Sequence, residues 1–462
     1  MTTFVHLILV SFLLVLMSCR KDGSFTKVDL LTGGQNGTIF DESKNSFGHQ
    51  MPGITDDKEF LFFVGNSFFN QNWVPSPASA TARDGLGPLL NAKSCSSCHF
   101  KDGRGKPFLT NGDFSNGFLV RLSVSGTDAH GGPLGDPNYG EQFSDMAIGG
   151  VNEEGDIEVF FEYINGTYDD GTIYTLRKPI YTLTNLNYGS LASDVMMSPR
   201  IGQQMIGLGL LEAIGESALL LHEDEFDSDG DGISGKANYV WDIKSESSKM
   251  GIFGWKANQP NLLQQVAAAF AGDLGIKSFL FSNENHTQSQ TECLDLLDGG
   301  IIEIDDDDLM KTVLYTSSLA VPARRNIDDL SVKAGEELFK ELNCVKCHVK
   351  TYTTGSSHDL TYLNRQTIHP YSDLLLHDMG IELADNRPDY LATGREWRTQ
   401  PLWGIGLIET VNGHTYYLHD GRARSVEEAI LWHGGEAELS KNNFKALTQI
   451  ERQALIDFVN SL

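Results

Sequence analysis

Positive charge is scarce in this chain: 35 Lys and Arg stand against 62 Asp and Glu in 462 residues, a formal net charge of −27. Most of the surface would repel a phosphate backbone, which argues against nucleic acid as a partner. Long apolar runs are lacking too, and beyond the first 18 residues no stretch is apolar for long enough to form a membrane-spanning helix. Low-complexity tracts are absent, so nothing points to wholesale disorder. What is present is an ordinary apolar share of 40%, 47 glycines that imply many turns, and a length suited to two or three folded domains. The acidity is dispersed, with one run at Asp305–Asp308. It reads as a solvated face, with a docking patch for a basic electron-transfer partner as the alternative.

The first residues read as a targeting segment. A mostly apolar run from Leu7 to Met17, too short to span a bilayer, ends at Leu16-Met17-Ser18-Cys19 and turns polar at Arg20. Leu-x-Ser-Cys resembles a bacterial lipoprotein cleavage box. On that reading residues 1–18 are a signal peptide and Cys19 is lipidated. The protein is then exported to the periplasm or cell envelope and meets the membrane through a lipid anchor only, with Arg20 favouring the outer membrane. A plain signal peptide is the alternative, and it too exports the chain.

Cysteine is sparse, six in all, and four fall into two pentads: Cys95-Ser96-Ser97-Cys98-His99 and Cys344-Val345-Lys346-Cys347-His348. One such pentad arises by chance roughly once in 500 chains of this composition. Two thiols three residues apart can add to the vinyl groups of one haem, and the next histidine then meets the iron. The spacing therefore predicts two covalently bound haems c, with His99 and His348 as proximal ligands. A shared zinc is disfavoured by the 249 residues between the pairs. Cys293 stands alone and reads as a buried, unreactive thiol.

The amphipathic run Val332–Lys340 can lead into the second pentad. At the far end, Thr448-x-x-Glu451 makes a capping box before Leu455, Phe458, Val459 and Leu462. Residues 326–462 thus read as a C-terminal cytochrome c domain, and 19–325 as an N-terminal cytochrome c-like domain. The N-terminal domain is enlarged by loops and short strands from about Leu109 to Tyr188 and carries helices at Gly202–Leu221 and Leu262–Ala271. The fold class expected is mainly α. Between those helices Asp227, Asp229 and Asp231 match the first half of a calcium loop, with Asn238 where a bidentate Glu normally stands; a solvated Asp/Gly turn is the equal alternative.

With the pentads placed, further phrases carry a resemblance: Ile206-Gly-Leu-Gly-Leu-Leu-Glu-Ala213, Phe253-Gly-Trp-Lys-Ala257, Gln264–Phe270, Thr393-Gly-Arg-Glu-Trp-Arg-Thr399 and Tyr417-Leu-His-Asp-Gly-Arg422. Over most of its length the chain resembles bacterial di-haem oxidoreductases that carry peroxidase or thiol-oxidoreductase labels, relatives of the di-haem cytochrome c peroxidases. The resemblance implies a distal ligand on the helix after His-Asp-Gly. Fourteen residues beyond His419 stands His433 rather than methionine, so His348/His433 is the expected axial pair, with Met379 the rival.

No distal partner for His99 stands out by spacing, so an open iron is expected there; His130, Met196, Met197 and Met205 are residues that could close it. The resemblance further implies an acid/base Glu, for which Glu212 is the candidate and Arg200 a weaker one, and a tryptophan between the haems, for which Trp255 is the candidate. The function expected is a haem-dependent, cytochrome c peroxidase-like enzyme acting on a small substrate such as hydrogen peroxide. An electron-donor protein or small cytochrome would supply its electrons. The alternative is a non-catalytic electron-transfer cytochrome.

Overall fold

The computed structural model describes residues 27–111, 117–294, 296 and 299–462. The expected signal peptide and Cys19 lie outside the described residues. Among those described, no helix is long and apolar enough to cross a membrane.

The expectation of a mainly α fold is corrected. The chain is 30% helical and 20% strand, with the strands spread over many small sheets. The physical reason lies in residues 118–201, where β-branched and aromatic side chains alternate along the backbone. Strand β1 (Phe118–Thr127) pairs antiparallel with β4 (Met196–Ile201), in register from Phe118 with Ile201 to Ser123 with Met196. Between them β2 (Asp156–Thr167) and β3 (Ile173–Thr184) form a long hairpin rather than short strands. Its inner face buries Ile157, Val159, Tyr181 and Leu183, while Phe160 and Ile180 point outward. A further small sheet pairs β5 (Leu376–Asp378) antiparallel with β6 (Glu396–Arg398).

Helices supply two similar cradles. In the first, α1 (Asp56–Asn70) precedes the Cys95 pentad and crosses α3 (Asp306–Ser317); in the second, α4 (Leu330–Glu341) precedes the Cys344 pentad and crosses α6 (Gln449–Ser461). Each crossing turns on a glycine. A Cβ on Gly65 would lie 2.0 Å from the Lys311 carbonyl oxygen, and one on Gly335 1.9 Å from that of Ala454, so any side chain would force the axes apart. Four residues further on, Phe69 packs on Tyr315 with ring centroids 5.2 Å apart, and Phe339 on Phe458 at 5.1 Å. The same two phenylalanines stand 6.2 Å from His99 and 6.0 Å from His348. Thr448 and Glu451 form the capping box at the start of α6.

Helix α2 (Leu262–Leu274) forms where expected. The stretch Gly202–Leu221 does not make one helix: it breaks into short turns of helix at Leu208–Glu212, Glu216–Leu219 and Leu220–His222, with Gly215 at φ +82° interrupting it. The largest core runs through both halves of the chain, packing Phe47 and Met51 together with Leu363, Trp403 and Leu462.

Candidate functional site

Both pentads adopt a single helical turn in which the histidine N–H donates to the first cysteine's carbonyl, at 2.9 Å in each. Desolvation pushes the Cys95 and Cys344 thiols up to about 12 and raises Cys98 and Cys347 as well. The two histidines are held alike: His99 Nδ1 lies 2.7 Å from the Gln203 carbonyl oxygen, and His348 Nδ1 2.9 Å from that of Tyr371. A carbonyl at Nδ1 fixes the proton there and leaves the Nε2 lone pair free, as in metal-bound histidines. Burial lowers both imidazoles, His348 to about 4, and so keeps them neutral.

Each pentad opens into its own cavity, and the two are nearly equal, about 210 Å³ beside His348 and about 190 Å³ beside His99. His433, capping α5 (Val426–Trp432), lines the first cavity with His348. Its Nδ1 lies 2.6 Å from the Ala429 carbonyl oxygen, the same arrangement a third time. Met379, the rival ligand, lines this cavity too, as do His377 and His419. His377 is clamped between Asp373 at 2.8 Å and Glu436 at 2.7 Å; against the effect of burial, Cys347 at 3.5 Å and then Asp373 hold its imidazolium well above the usual range. The His419 ring stacks on Trp397 at 3.8 Å.

The second cavity brings no second histidine to His99. Of the residues that could close the iron, Met205 lines it; His130 stacks on Trp241 at the surface, and Met196 and Met197 lie outside its walls. Arg200 lines it as expected, 6% exposed, with Nε donating to Ser198 and an Nη 3.3 Å from Asp389. Burial lowers its guanidinium to about 10. Glu212 does not line it. The Glu212 carboxylate accepts the Leu262 N–H at 2.8 Å, at the start of α2, and faces His358 Nε2 at 3.3 Å. Asp273 is the only carboxylate in the lining. It accepts from Gln142 at 2.8 Å and exerts its field on Cys95, Cys98 and His99. Its position was not legible locally, because backbone bonds from Asn91 and Ala92 to the Asp273 carbonyl bring it there.

One wall is common to both cavities, built from Trp255, Arg398, Gln400 and Pro401. Trp255 is fixed by its Nε1–H, which donates to the Ile201 carbonyl at 2.8 Å. Arg104, which lines the cavity beside His348, and Arg398 are about 95% buried, and each leaves Nε without a partner. Neither makes an ion pair with a carboxylate among the described residues. Buried cations of this kind fit a group that brings its own carboxylates, as haem does.

The calcium reading is corrected at Asn238. That side chain is 1% exposed and donates to the Lys256 and Asp389 carbonyls, far from any loop role. Asp224 instead approaches Asp227 and Asp229, while Asp231 pairs with Lys346 of the second pentad at 2.7 Å. Cys293 is buried, and its thiol is pushed up to about 12.

The family model described as "Di-haem oxidoreductase, putative peroxidase" matches residues 27–462. No curated protein and no solved structure matches the chain.

Proposed function

The chain belongs to the di-haem oxidoreductase family, and we propose that it is an exported c-type enzyme that reduces hydrogen peroxide or a similarly small oxidant with electrons from a donor protein. The observation that carries this reading is the pair of near-equal cavities, one pentad in each, divided by the single wall that holds Trp255. When bound, the two haems supply one-electron chemistry, with peroxide reduction where an iron keeps an open position.

Cys95, Cys98, Cys344 and Cys347 would hold these groups by thioether bonds, His99 and His348 would bind the irons, and His433 would be a second protein ligand in the C-terminal cavity. In the N-terminal cavity Arg200 and the amides of Asn258 and Gln265 offer donors to a small oxidant such as peroxide. Asp273, the lining's one carboxylate, is the group able to give and take a proton there. Trp255 is the route across the wall. Met205 favours a second reading: bound to the N-terminal iron, it would make the protein an electron carrier.

Mixing fully reduced protein, which holds two electrons per chain, with equimolar hydrogen peroxide in a stopped-flow instrument separates the two. Consumption of peroxide with reoxidation of the protein supports the enzyme. Peroxide that persists in a protein carrying both haems supports the carrier.

A further inference from the structure

Arg398 ends β6 in the common wall and lines both cavities. It is 5% exposed. One Nη donates to the Ile252 carbonyl, the other to Gln400 Oε1 at 2.6 Å, and Nε has no hydrogen-bond partner among the described residues. Asp373 acts on it only through a longer-range field, and burial lowers the guanidinium to about 9. The other cavity-lining arginines differ. Arg121 and Arg200 border only the N-terminal cavity, Arg200 being answered by Asp389; Arg104 borders only the C-terminal one. Gln400 Oε1 also accepts from the Gln203 side chain, whose backbone carbonyl faces His99 Nδ1. The Arg398 charge is therefore tied to the support of one iron ligand while it stands on the wall of the other cavity.

A guanidinium keeps its proton even when buried, and an unanswered buried charge is strongly unfavourable. Guanidinium forks match carboxylates, and each haem carries two. We infer that Arg398 is a counter-ion shared by the carboxylates of both haems, so that one side chain sets both reduction potentials. This rests on the two-haem reading. A cation near both irons favours their reduced forms, so neutralising it lowers both potentials together.

The test is a spectroelectrochemical titration of purified R398Q, with haem counted first. Two haems per chain keep the two-haem reading intact whatever the potentials do, and fewer in the wild type would break that reading itself. The expected result is a fall in both potentials, each corresponding to a tenfold or larger change in the reduction equilibrium, about 59 mV for one electron. R104Q should shift the C-terminal haem alone. If R398Q fails to load haem, the equally uncharged R398M decides: both potentials falling together supports the inference. A shift at one haem only, or at neither, in whichever variant loads, overturns it.

Discussion

Replacing Trp255 by phenylalanine removes the donor that the Ile201 carbonyl uses at 2.8 Å. Ile201 is 2% exposed, so water cannot substitute. Leaving that acceptor unmet costs about 1–3 kcal/mol. The lost ring volume, roughly 40 Å³ at about 24 cal/mol per Å³, adds about 1 kcal/mol. Arg104, 5.2 Å above the indole, loses part of a cation–π contact worth about 0.5–1 kcal/mol. The sum is about 3 kcal/mol, and at ~2.1 cal/mol/K of unfolding entropy per residue it lowers Tm by roughly 3 °C if the chain unfolds in one step. Calorimetry of the haem-loaded protein reads the stability. Flash reduction of the C-terminal site, followed optically, reads transfer to the N-terminal one. W255F should melt lower and transfer electrons more slowly, with both haems retained. A wild-type Tm would refute the bonding argument, and an unchanged transfer rate would refute the route through Trp255.

Other expectations follow from the same geometry. D273N should lower kcat for peroxide reduction by about 10²-fold or more, whereas E212Q should lower stability and leave kcat within about twofold, because Glu212 serves the start of α2. Lys256 is fully buried, with Nζ 2.8 Å from Asp385, 2.9 Å from the Arg387 carbonyl and 2.7 Å from that of Thr393. K256M should therefore cost about 3–5 kcal/mol in denaturant titrations, and K256M/D385N should recover part of it. Burial lowers His419 to about 4. Its contribution is present above the ordinary histidine range near 6.5 and is lost as pH falls toward 4, because the unfolded chain then binds the extra proton. The stability difference between wild type and H419Q should shrink across that window by up to about 1.4 kcal/mol per pH unit; a difference flat with pH would show that His419 is not held neutral.

Short-range chemistry was readable from the sequence. The pentads and the Thr448–Glu451 box depend on residues a few turns apart, while His433, expected from the resemblance by its spacing from His419, lines the cavity of His348. Trp255, picked from a five-residue phrase, falls in the wall between the cavities. Longer-range placement was not readable. The alternating residues 156–184 were obscured by Gly, Asp and Tyr and were expected as loops and short strands, yet they pair along 12 residues of each strand. Glu212 drew attention as a polar residue in an apolar phrase, but the need it meets is a backbone N–H fifty positions away. Asn238 fitted a loop count while the fold buries it between two carbonyls. Arg398 sat inside the Thr393–Thr399 phrase, and only the folded wall shows that among the described residues it forms no ion pair and its Nε has no hydrogen-bond partner.

The most direct test of two haem sites, one closed and one open, is low-temperature EPR of the ferric protein after acid–acetone extraction of a parallel sample has counted covalently held haem. Two retained haems per chain, one low-spin signal and one high-spin signal are predicted, with the low-spin signal becoming high-spin in H433A. Fewer than two retained haems, or a low-spin signal unaffected by H433A, would contradict the account.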